Sequence, residues 1–167
     1  MSRVLLGLII AAGLLAGQVS LLMGAWAELP PQVAVHFGAG GVADGWGEKS
    51  SLVWIAGMVS VIILVCFHIP AVLMRWMPRG LMNMPNKDYW FAPGRADTTV
   101  TRLQLSMLGI GNLSLAAGLL FTSGLIDANL AAEPKLSPWF VPGIIAYTFG
   151  VIVWAIRLKR RFAVPGR

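Results

Sequence analysis

Four long apolar stretches, separated by polar segments, dominate the sequence. A helix needs about 20 mostly apolar residues to cross the hydrocarbon core of a bilayer. The four stretches reach about that length, and apolar runs this long are typical of transmembrane helices rather than strands. They span residues 4–26, 52–74, 103–126 and 139–156. The pattern therefore predicts an all-α integral membrane protein with four transmembrane helices.

The first stretch has a second interpretation, as a cleaved signal peptide. Arg3 precedes it, and the sequence Ala25-Trp26-Ala27 at its end resembles a cleavage site. The apolar core of a signal peptide is usually about 7–15 residues long, and this stretch is longer. We therefore expect the helix to be retained.

The segment between the first two stretches, residues 29–50, predicts a small hairpin. Val33, Val35 and Phe37 alternate with other residues, as in a strand. Glycines follow, and Asp44-Gly45 predicts a tight turn. Trp46 comes close to the second helix, where an amphipathic ring suits the membrane interface. We expect a hairpin-like cap on one membrane face.

The segment between the second and third stretches, residues 75–102, mixes basic and aromatic residues. Such a segment suits anionic lipid headgroups, so we expect a connector that lies on the membrane. A loop that docks a partner is the alternative. Asp97 is the residue type found at helix N-caps, and it predicts the start of the third helix.

Composition excludes most soluble classes. Hydrophobic residues make up 57% of the chain and charged residues 12%, against about 25% charged in typical globular proteins. The net charge of +6 comes from basic residues at the ends of apolar stretches, not from a patch interleaved with exposed aromatics, so no nucleic-acid partner is expected. The single cysteine excludes an internal disulfide and a cysteine-based zinc site.

The distribution of basic residues predicts the orientation. Lys49 and Lys135 lie on one predicted side and eleven basic residues on the other. Basic residues remain in the cytoplasm, so both termini and residues 75–102 are predicted inside, with 29–50 and 127–138 outside. The eleven are Arg3, Arg75, Arg79, Lys87, Arg95, Arg102, Arg157, Lys159, Arg160, Arg161 and Arg167.

The order of stretches and loops along the chain divides it into two predicted units. Residues 1–102 form a predicted two-helix unit with the outer cap loop and the basic inner loop, and residues 103–167 form a second helix pair with a basic tail.

Small residues recur at every fourth position of the first helix, a pattern that allows close approach of another helix. We expect this face to pack within the chain, with a dimer contact as the alternative. Its members are Ala12, Ala16, Ser20 and Gly24.

Candidate chemistry is sparse. His36, Asp44 and Glu48 match no zinc motif, and the glycines of residues 38–41 lack the lysine of a phosphate-binding loop. No nucleophile–base pair stands out, so we expect no catalytic residue, cofactor or metal. Within the stretches, the polar side chains of Gln18, His68, Asn112 and Ser114 are each expected to hydrogen-bond to another helix. For His68 a position at the membrane interface is equally compatible, and a proton-relay or ligand role is the alternative.

Two loop sequences carry a resemblance. The outer "LPPQVAVHFGAGGVADGWGEK" and the inner "LMNMPNKDYWFAPGR" are similar to the signatures of a bacterial membrane family with a domain of unknown function. That domain is shared with the Sdp-type toxin-immunity proteins. The outer matches are Leu29, Pro30, His36, Phe37, Gly41, Asp44, Gly45, Trp46 and Lys49. The inner matches are Asn83, Pro85, Asn86, Lys87, Asp88, Tyr89 and Trp90.

The resemblance covers residues 4–102. It implies a multi-pass protein of the bacterial cytoplasmic membrane. The Sdp-type proteins that share the domain give immunity to a secreted toxic peptide and hold a repressor at the membrane. Gly94 stands where the inner signature has an acidic residue. The second helical domain of the immunity proteins, with its Gly-x-Arg-Thr-Pro-like stretch, has no counterpart in this sequence, so the chain resembles a short member.

These observations together favour a non-enzymatic receptor, immunity-like or accessory protein that binds a peptide or protein partner through its loops, in contact with membrane lipids. The alternatives are a structural subunit of a larger membrane complex, a homo-oligomer and, least favoured, a membrane enzyme. The outer recognition candidates are His36, Asp44, Trp46 and Lys49. The inner candidates are Asn86, Lys87, Asp88, Tyr89 and Trp90.

Overall fold

A computed structural model describes residues 2–164 and contains four helices that are long and apolar enough to cross a membrane. The four predicted spans are confirmed, and the chain is a multi-pass membrane protein by the length and composition of its helices. Arg167, counted above in the basic tail, lies outside the described residues. The helices are α1 (Arg3–Ala25), α2 (Ser50–Leu73), α3 (Ala96–Leu130) and α4 (Phe140–Arg161).

Helix α3 is longer than the apolar pattern predicted. Its 35 residues extend about 50 Å at 1.5 Å per residue, well beyond the roughly 30 Å of a hydrocarbon core. It begins seven residues before the predicted start. Asp97 is therefore in the first turn and not at the N-cap, which is Arg95 without a side-chain cap bond, so the predicted Asp97 cap is wrong. A carboxylate in the first turn still interacts favourably with the positive end of the helix dipole.

Helix α2 changes its winding halfway. It is α-helical over Ser50–Ile63, forms a π-helical turn over Leu64–His68, and ends as the short α-helix Ile69–Leu73. Pro70 has no backbone N–H and cannot continue regular α-helical bonding, and π-helical turns accommodate such interruptions. The wider turn places His68 in the helix interface, where it is buried.

Helix α3 is the centre of the bundle and packs against the other three helices. Its Leu108 and Ile110 are almost completely buried. Gly7 of α1 allows close approach, because a Cβ there would lie 3.1 Å from Leu108 Cδ1. Helix α4 is different, since none of its described side chains is buried. The result is a tight unit of α1, α2 and α3 with α4 attached at its side.

The small-residue face predicted on α1 does not pack within the described chain. Its four residues are exposed, and no protein atom lies within 4 Å of a Cβ built at Gly24. Helix α1 instead buries Ala11, Gln18 and Leu22. A polar side chain in hydrocarbon needs hydrogen-bond partners, and Gln18 finds them on α2 and α3. That requirement turns the small residues outward and makes the prediction of an internal contact wrong.

A two-stranded antiparallel hairpin connects α1 and α2, and we refer to it as the cap. Strand β1 is Gln32–Phe37, and strand β2 is Ala43–Glu48. The turn lies at Ala39–Gly41, where Gly40 and Gly41 adopt φ values of +77° and +75°. Glycine adopts such values without strain. The predicted tight turn at Asp44-Gly45 is therefore wrong, because those residues belong to β2.

Candidate functional site on the hairpin cap

The cap is fixed to the helices by one buried side chain, that of Asn129 near the end of α3. Asn129 Oδ1 accepts a hydrogen bond from Ala34 N at 2.6 Å, and Nδ2 donates to Ala34 O at 3.1 Å and to Leu125 O at 2.9 Å. The amide thus pairs with β1 much as a neighbouring strand would. Ala34 and Val33 are completely buried beside it, so the base of the cap is rigidly held.

The segment after α3 adds a second attachment. Leu136 N donates to Gly41 O at 2.9 Å, and Ala43 N donates to Pro134 O at 3.2 Å. Val42 and Lys135 form an isolated antiparallel bridge between these bonds. A Cβ at Gly41 would lie 3.3 Å from Leu136, so the glycine also allows the close approach. The turn of the cap is therefore fastened at its tip as well as at its base.

Lys49, one of the predicted recognition residues, has a structural contact. Its Nζ donates to the carbonyl oxygen of Trp26 at 3.2 Å and lies 4.6 Å from the centroid of the Trp26 ring. A lysine at this position satisfies a carbonyl near the end of α1 and stacks on an aromatic face. Lys49 therefore closes the base of the cap and is tied to Trp26.

His36 and Asp44 form a pair across the two strands. His36 Nδ1 lies 2.5 Å from Asp44 Oδ1, with 73% of the histidine side chain and 52% of the aspartate side chain exposed. The register shifts at this point of the hairpin, and His36 lies opposite Gly45. A Cβ on Gly45 would come within 2.7 Å of His36 Cβ. Glycine at position 45 is thus what allows the pair to form.

The exposed face of β2 continues from this pair. Alternate residues of a strand point to the same face, and Asp44, Trp46 and Glu48 are the exposed ones in β2. Trp46 has 53% of its surface accessible. Together with His36 they form a surface with two carboxylates, an imidazole and an indole. We call His36, Asp44, Trp46 and Glu48 the cap face.

The cap face brings few metal-binding groups together. Among residues 2–164, no three His, Cys, Asp or Glu side chains are grouped so that they could hold a metal ion. His36 and Asp44 supply two ligand types, whereas structural zinc sites use four protein ligands and catalytic sites three. The chemistry of the cap face is that of hydrogen bonding, charge and aromatic contact.

The predicted inner candidates lie on the opposite side of the bundle, in the segment between α2 and α3. This segment packs around its own apolar core, which contains Met74, Met82 and Phe91. Asn86 Nδ2 and Trp90 Nε1 both donate to the carbonyl oxygen of Phe162, at 3.1 and 2.8 Å. They therefore hold the C-terminal end of α4, and we refer to these two bonds as the α4 latch.

The remaining inner candidates are divided between internal contacts and solvent. Lys87 Nζ donates to Gly80 O at 3.2 Å. The guanidinium of Arg95 lies 4.1 Å from the Tyr89 ring centroid and donates to Tyr89 O. Asp88 is exposed. The cap residues and the inner residues are thus separate sites, with the membrane-spanning helices between them.

His68 and Asn112 meet inside the bundle. Asn112 Nδ2 donates to Gly7 O at 3.0 Å, so its Oδ1 accepts the bond from His68 Nε2, also at 3.0 Å. His68 Nδ1 is buried without a partner among the described residues. A Cβ at Gly111 would lie 2.5 Å from His68 Cε1, so only glycine leaves room for the ring. The pair joins α1, α2 and α3.

Sequence reasoning missed the residue that supports the cap. Asn129 lies beyond residue 126, where the apolar stretch ends, and an asparagine in a presumed loop gives no signal. It also missed Ser60 and Thr122, which bond to Gln18 inside the bundle, because isolated hydroxyl residues are common in transmembrane helices. The sequence placed Gly45 in a turn and gave no sign that Gly111 lies against His68, since the need for a missing Cβ appears only when the neighbouring side chain is in place.

Comparison with known proteins gives a family-model match over less than half of the chain. No curated protein and no solved structure matches the chain. Residues 8–63 match a family model described as a domain of unknown function, DUF1648. The matched segment contains most of α1, the whole cap and the α-helical first part of α2. This part of the chain is therefore similar to an uncharacterised family, and the match includes all four residues of the cap face.

Proposed function

We propose that this protein is a receptor-like membrane protein, without enzymatic activity, that binds a peptide or protein partner through the cap face. The observation that carries the proposal is the exposed His36–Asp44 pair beside the exposed ring of Trp46. Exposed aromatic residues on a rigid support are typical of binding hot spots. The inner candidates are a weaker choice, since Asn86 and Trp90 already hold α4.

The charges on the cap face indicate the chemistry of the proposed partner. The cap face carries the carboxylates of Asp44 and Glu48, and the nearby Lys49 is engaged with Trp26. Electrostatic complementarity favours a partner with basic groups, and an indole attracts cations or apolar side chains. A cationic peptide with an apolar side chain fits these requirements. The resemblance of the loops to Sdp-type immunity proteins supports a secreted toxic peptide as such a partner.

We further propose that the cap lies outside a bacterial cytoplasmic membrane, with both termini inside. The asymmetry of basic residues supports this orientation. Labelling with a membrane-impermeant maleimide tests it in a Cys66→Ser background, because Cys66 is the one native thiol. We expect labelling of Ser50→Cys in intact cells and of Thr98→Cys only after permeabilisation. Labelling of Thr98→Cys from outside would overturn the orientation.

Partner binding is tested by site-specific photocrosslinking in intact cells. A photoreactive phenylalanine replaces Trp46, which has 53% of its surface exposed, in one strain and the more exposed Trp139 in a control strain. We expect a discrete adduct at position 46 that disappears when His36→Ala is added and persists when the distant Thr98→Ala is added. The same adducts at both positions, or an adduct insensitive to His36→Ala, would show that the cap face does not bind the partner.

A second candidate function is that of a subunit in a larger membrane complex. It is favoured by α4, which has no buried side chain among the described residues and so offers apolar surface to a neighbouring protein. Affinity purification in a mild detergent tests it. Stoichiometric co-purification of another membrane protein is the expected result, and a lone monomer would contradict it.

A further inference from the structure

A large groove lies between α2 and α4 on the side of the bundle nearest the cap. Its volume is about 970 Å³, at the upper end of the range for small-molecule sites. Helix α3 forms the floor and α2 and α4 form the walls. The floor is smooth because small residues line it at Ala116, Ala117 and Gly118. The groove is only partly enclosed, and the helices that form its walls are both long and apolar enough to cross a membrane.

Attachments at the two ends of α4 set the width of the groove. On the cap side, Phe140 packs on Phe121 at a ring-centroid distance of 4.9 Å, close to Gly124. At the other end the α4 latch holds the carbonyl of Phe162. Between these points α4 is linked to α3 by a bond between Tyr147 and Ser114 at 2.6 Å. Contacts at both ends of α4 therefore hold the groove at a defined width.

The depth of the groove corresponds to one leaflet. Its α2 lining runs from Leu52 to Ile63 and its α4 lining from Phe140 to Gly150. At 1.5 Å per residue these segments extend about 15–17 Å, half of the roughly 30 Å hydrocarbon core. A transmembrane helix from another protein would need a groove of the full depth. An acyl chain from a single leaflet needs only this half.

The lining suits a hydrocarbon chain. Its polar groups are already hydrogen-bonded within the protein: Gln18 to Thr122 and Ser60, and Tyr147 to Ser114. Ser114 donates to Ile110 O, so the Tyr147 hydroxyl donates to Ser114. An occupant therefore gains little from polar groups of its own, and its binding depends on apolar contact.

The end of the groove nearest the cap suits an anionic headgroup. Ser137 and Trp139 line this end, and Trp139 has 79% of its surface exposed. Tryptophan is typical of the level of lipid headgroups. The exposed Lys135 comes two residues before Ser137, and an ammonium group near the membrane surface attracts anionic lipid phosphates.

We propose that this groove binds one acyl chain of an anionic phospholipid from the leaflet on the cap side, with the lipid phosphate near Lys135. The site is separate from the cap face and does not depend on the function proposed for it. A bound lipid would fill the space between α2 and α4 that the attachments of α4 leave open.

Native mass spectrometry with palmitoyl-oleoyl phosphatidylglycerol tests the proposal. Gly118→Phe places a ring in the groove, while Gly109→Phe on the same helix lies outside it; neither glycine has a neighbouring atom within 4 Å of a built Cβ. We expect retained lipid to fall at least about tenfold in Gly118→Phe, since losing two buried methylenes already has that effect. Equal retention in both variants would overturn the proposal.

Two further measurements keep the proposal testable if Gly118→Phe folds poorly. A phosphatidylglycerol with a diazirine on its acyl chain should crosslink the unmodified protein within residues 52–63 and 140–150, and crosslinks spread over all helix faces would contradict the site. Lys135→Ala should lower retention of phosphatidylglycerol more than that of phosphatidylethanolamine. Unchanged selectivity between the two lipids would show that Lys135 does not bind the lipid phosphate. A dimer lost in Gly118→Phe would assign the groove to a second copy instead.

Discussion

The amide of Asn129 shows how much of the cap depends on a single side chain. It makes two hydrogen bonds to the backbone of Ala34 and one to Leu125 O, all buried. We expect Asn129→Ala to lower the free energy of unfolding by about 3 kcal/mol, because the N–H and C=O of Ala34 both lose their partner. Denaturant titration in mixed micelles measures this loss.

The control for this variant is Asp127→Ala, two residues earlier and exposed, which should change stability by less than about 0.5 kcal/mol. Limited proteolysis adds a second measurement. Cleavage within residues 32–48 should accelerate in Asn129→Ala while cleavage elsewhere does not. Equal stability of the two variants would show that Asn129 does not hold the cap.

Gly111 has a comparable role inside the membrane. A methyl group there would overlap the His68 ring, with Cε1 at 2.5 Å and Nδ1 at 2.9 Å from the new Cβ. We expect Gly111→Ala to destabilise the protein by about 1–3 kcal/mol, the usual cost of overpacking. The matched variant is Gly109→Ala, with nothing within 4 Å. A destabilisation of the same size at position 109 would show that the His68 contact is not the cause.

Residue-level predictions from sequence succeeded only where a local pattern carries the information. The alternation of residues 32–37 identified β1. His36 and Asp44 lie in contact and Trp46 is exposed on the same strand as Asp44, while their role in recognition stays a prediction. The turn was placed wrongly because Asp-Gly is a common turn pair, whereas Gly40 and Gly41 with positive φ form the turn here. The roles of Asn129 and Gly111 depend on partners far away in the chain, which no local pattern reveals.

At the level of elements, α4 is held by its ends. The latch bonds from Asn86 and Trp90 meet at one carbonyl, that of Phe162. We expect the double variant Asn86→Ala/Trp90→Phe, which removes both donors, to speed hydrogen exchange at residues 158–163 by about tenfold, as two net hydrogen bonds are lost. Hydrogen-exchange mass spectrometry measures the change.

The matched control is Trp76→Phe, a change of the same kind at an exposed tryptophan in the same connecting segment. It should leave exchange at the end of α4 unaltered. The double variant should also leave exchange within residues 32–48 unaltered, because the cap is fixed from α3. Faster exchange throughout the protein would indicate general loss of structure and contradict a local latch.

The spans themselves were predictable because hydrophobicity over about 20 residues is a strong signal. The extension of α3 to residues 96–130 was not, since the parts outside the apolar stretch are polar and resemble loops. The packing face of α1 was predicted wrongly for a related reason. Small residues permit close approach but do not require it, whereas the buried amide of Gln18 requires partners.

Across the whole molecule, α1, α2 and α3 are joined by polar contacts at successive depths. Near the cap, Asn129 and Lys49 fix the hairpin; in the middle, Gln18 joins Ser60 and Thr122; further down, Asn112 joins His68 and Gly7. Lipid provides no hydrophobic force between helices, so such contacts and close packing hold the bundle together. Helix α4 has few of them, which explains both its exposure and the groove beside it.

Gln18 tests this view of the molecule, because its amide bonds to both neighbouring helices. Gln18 Oε1 accepts from Ser60 at 2.7 Å and Nε2 donates to Thr122 at 3.0 Å. We expect Gln18→Leu to lower the free energy of unfolding by about 1–2 kcal/mol, since bonds between membrane helices contribute about 0.6 kcal/mol each on average and two hydroxyls lose a partner. The exposed Gln32→Leu, measured by the same titration, should have little effect. If Gln18→Leu is as stable as the unmodified protein, apolar packing alone holds α1, α2 and α3 together.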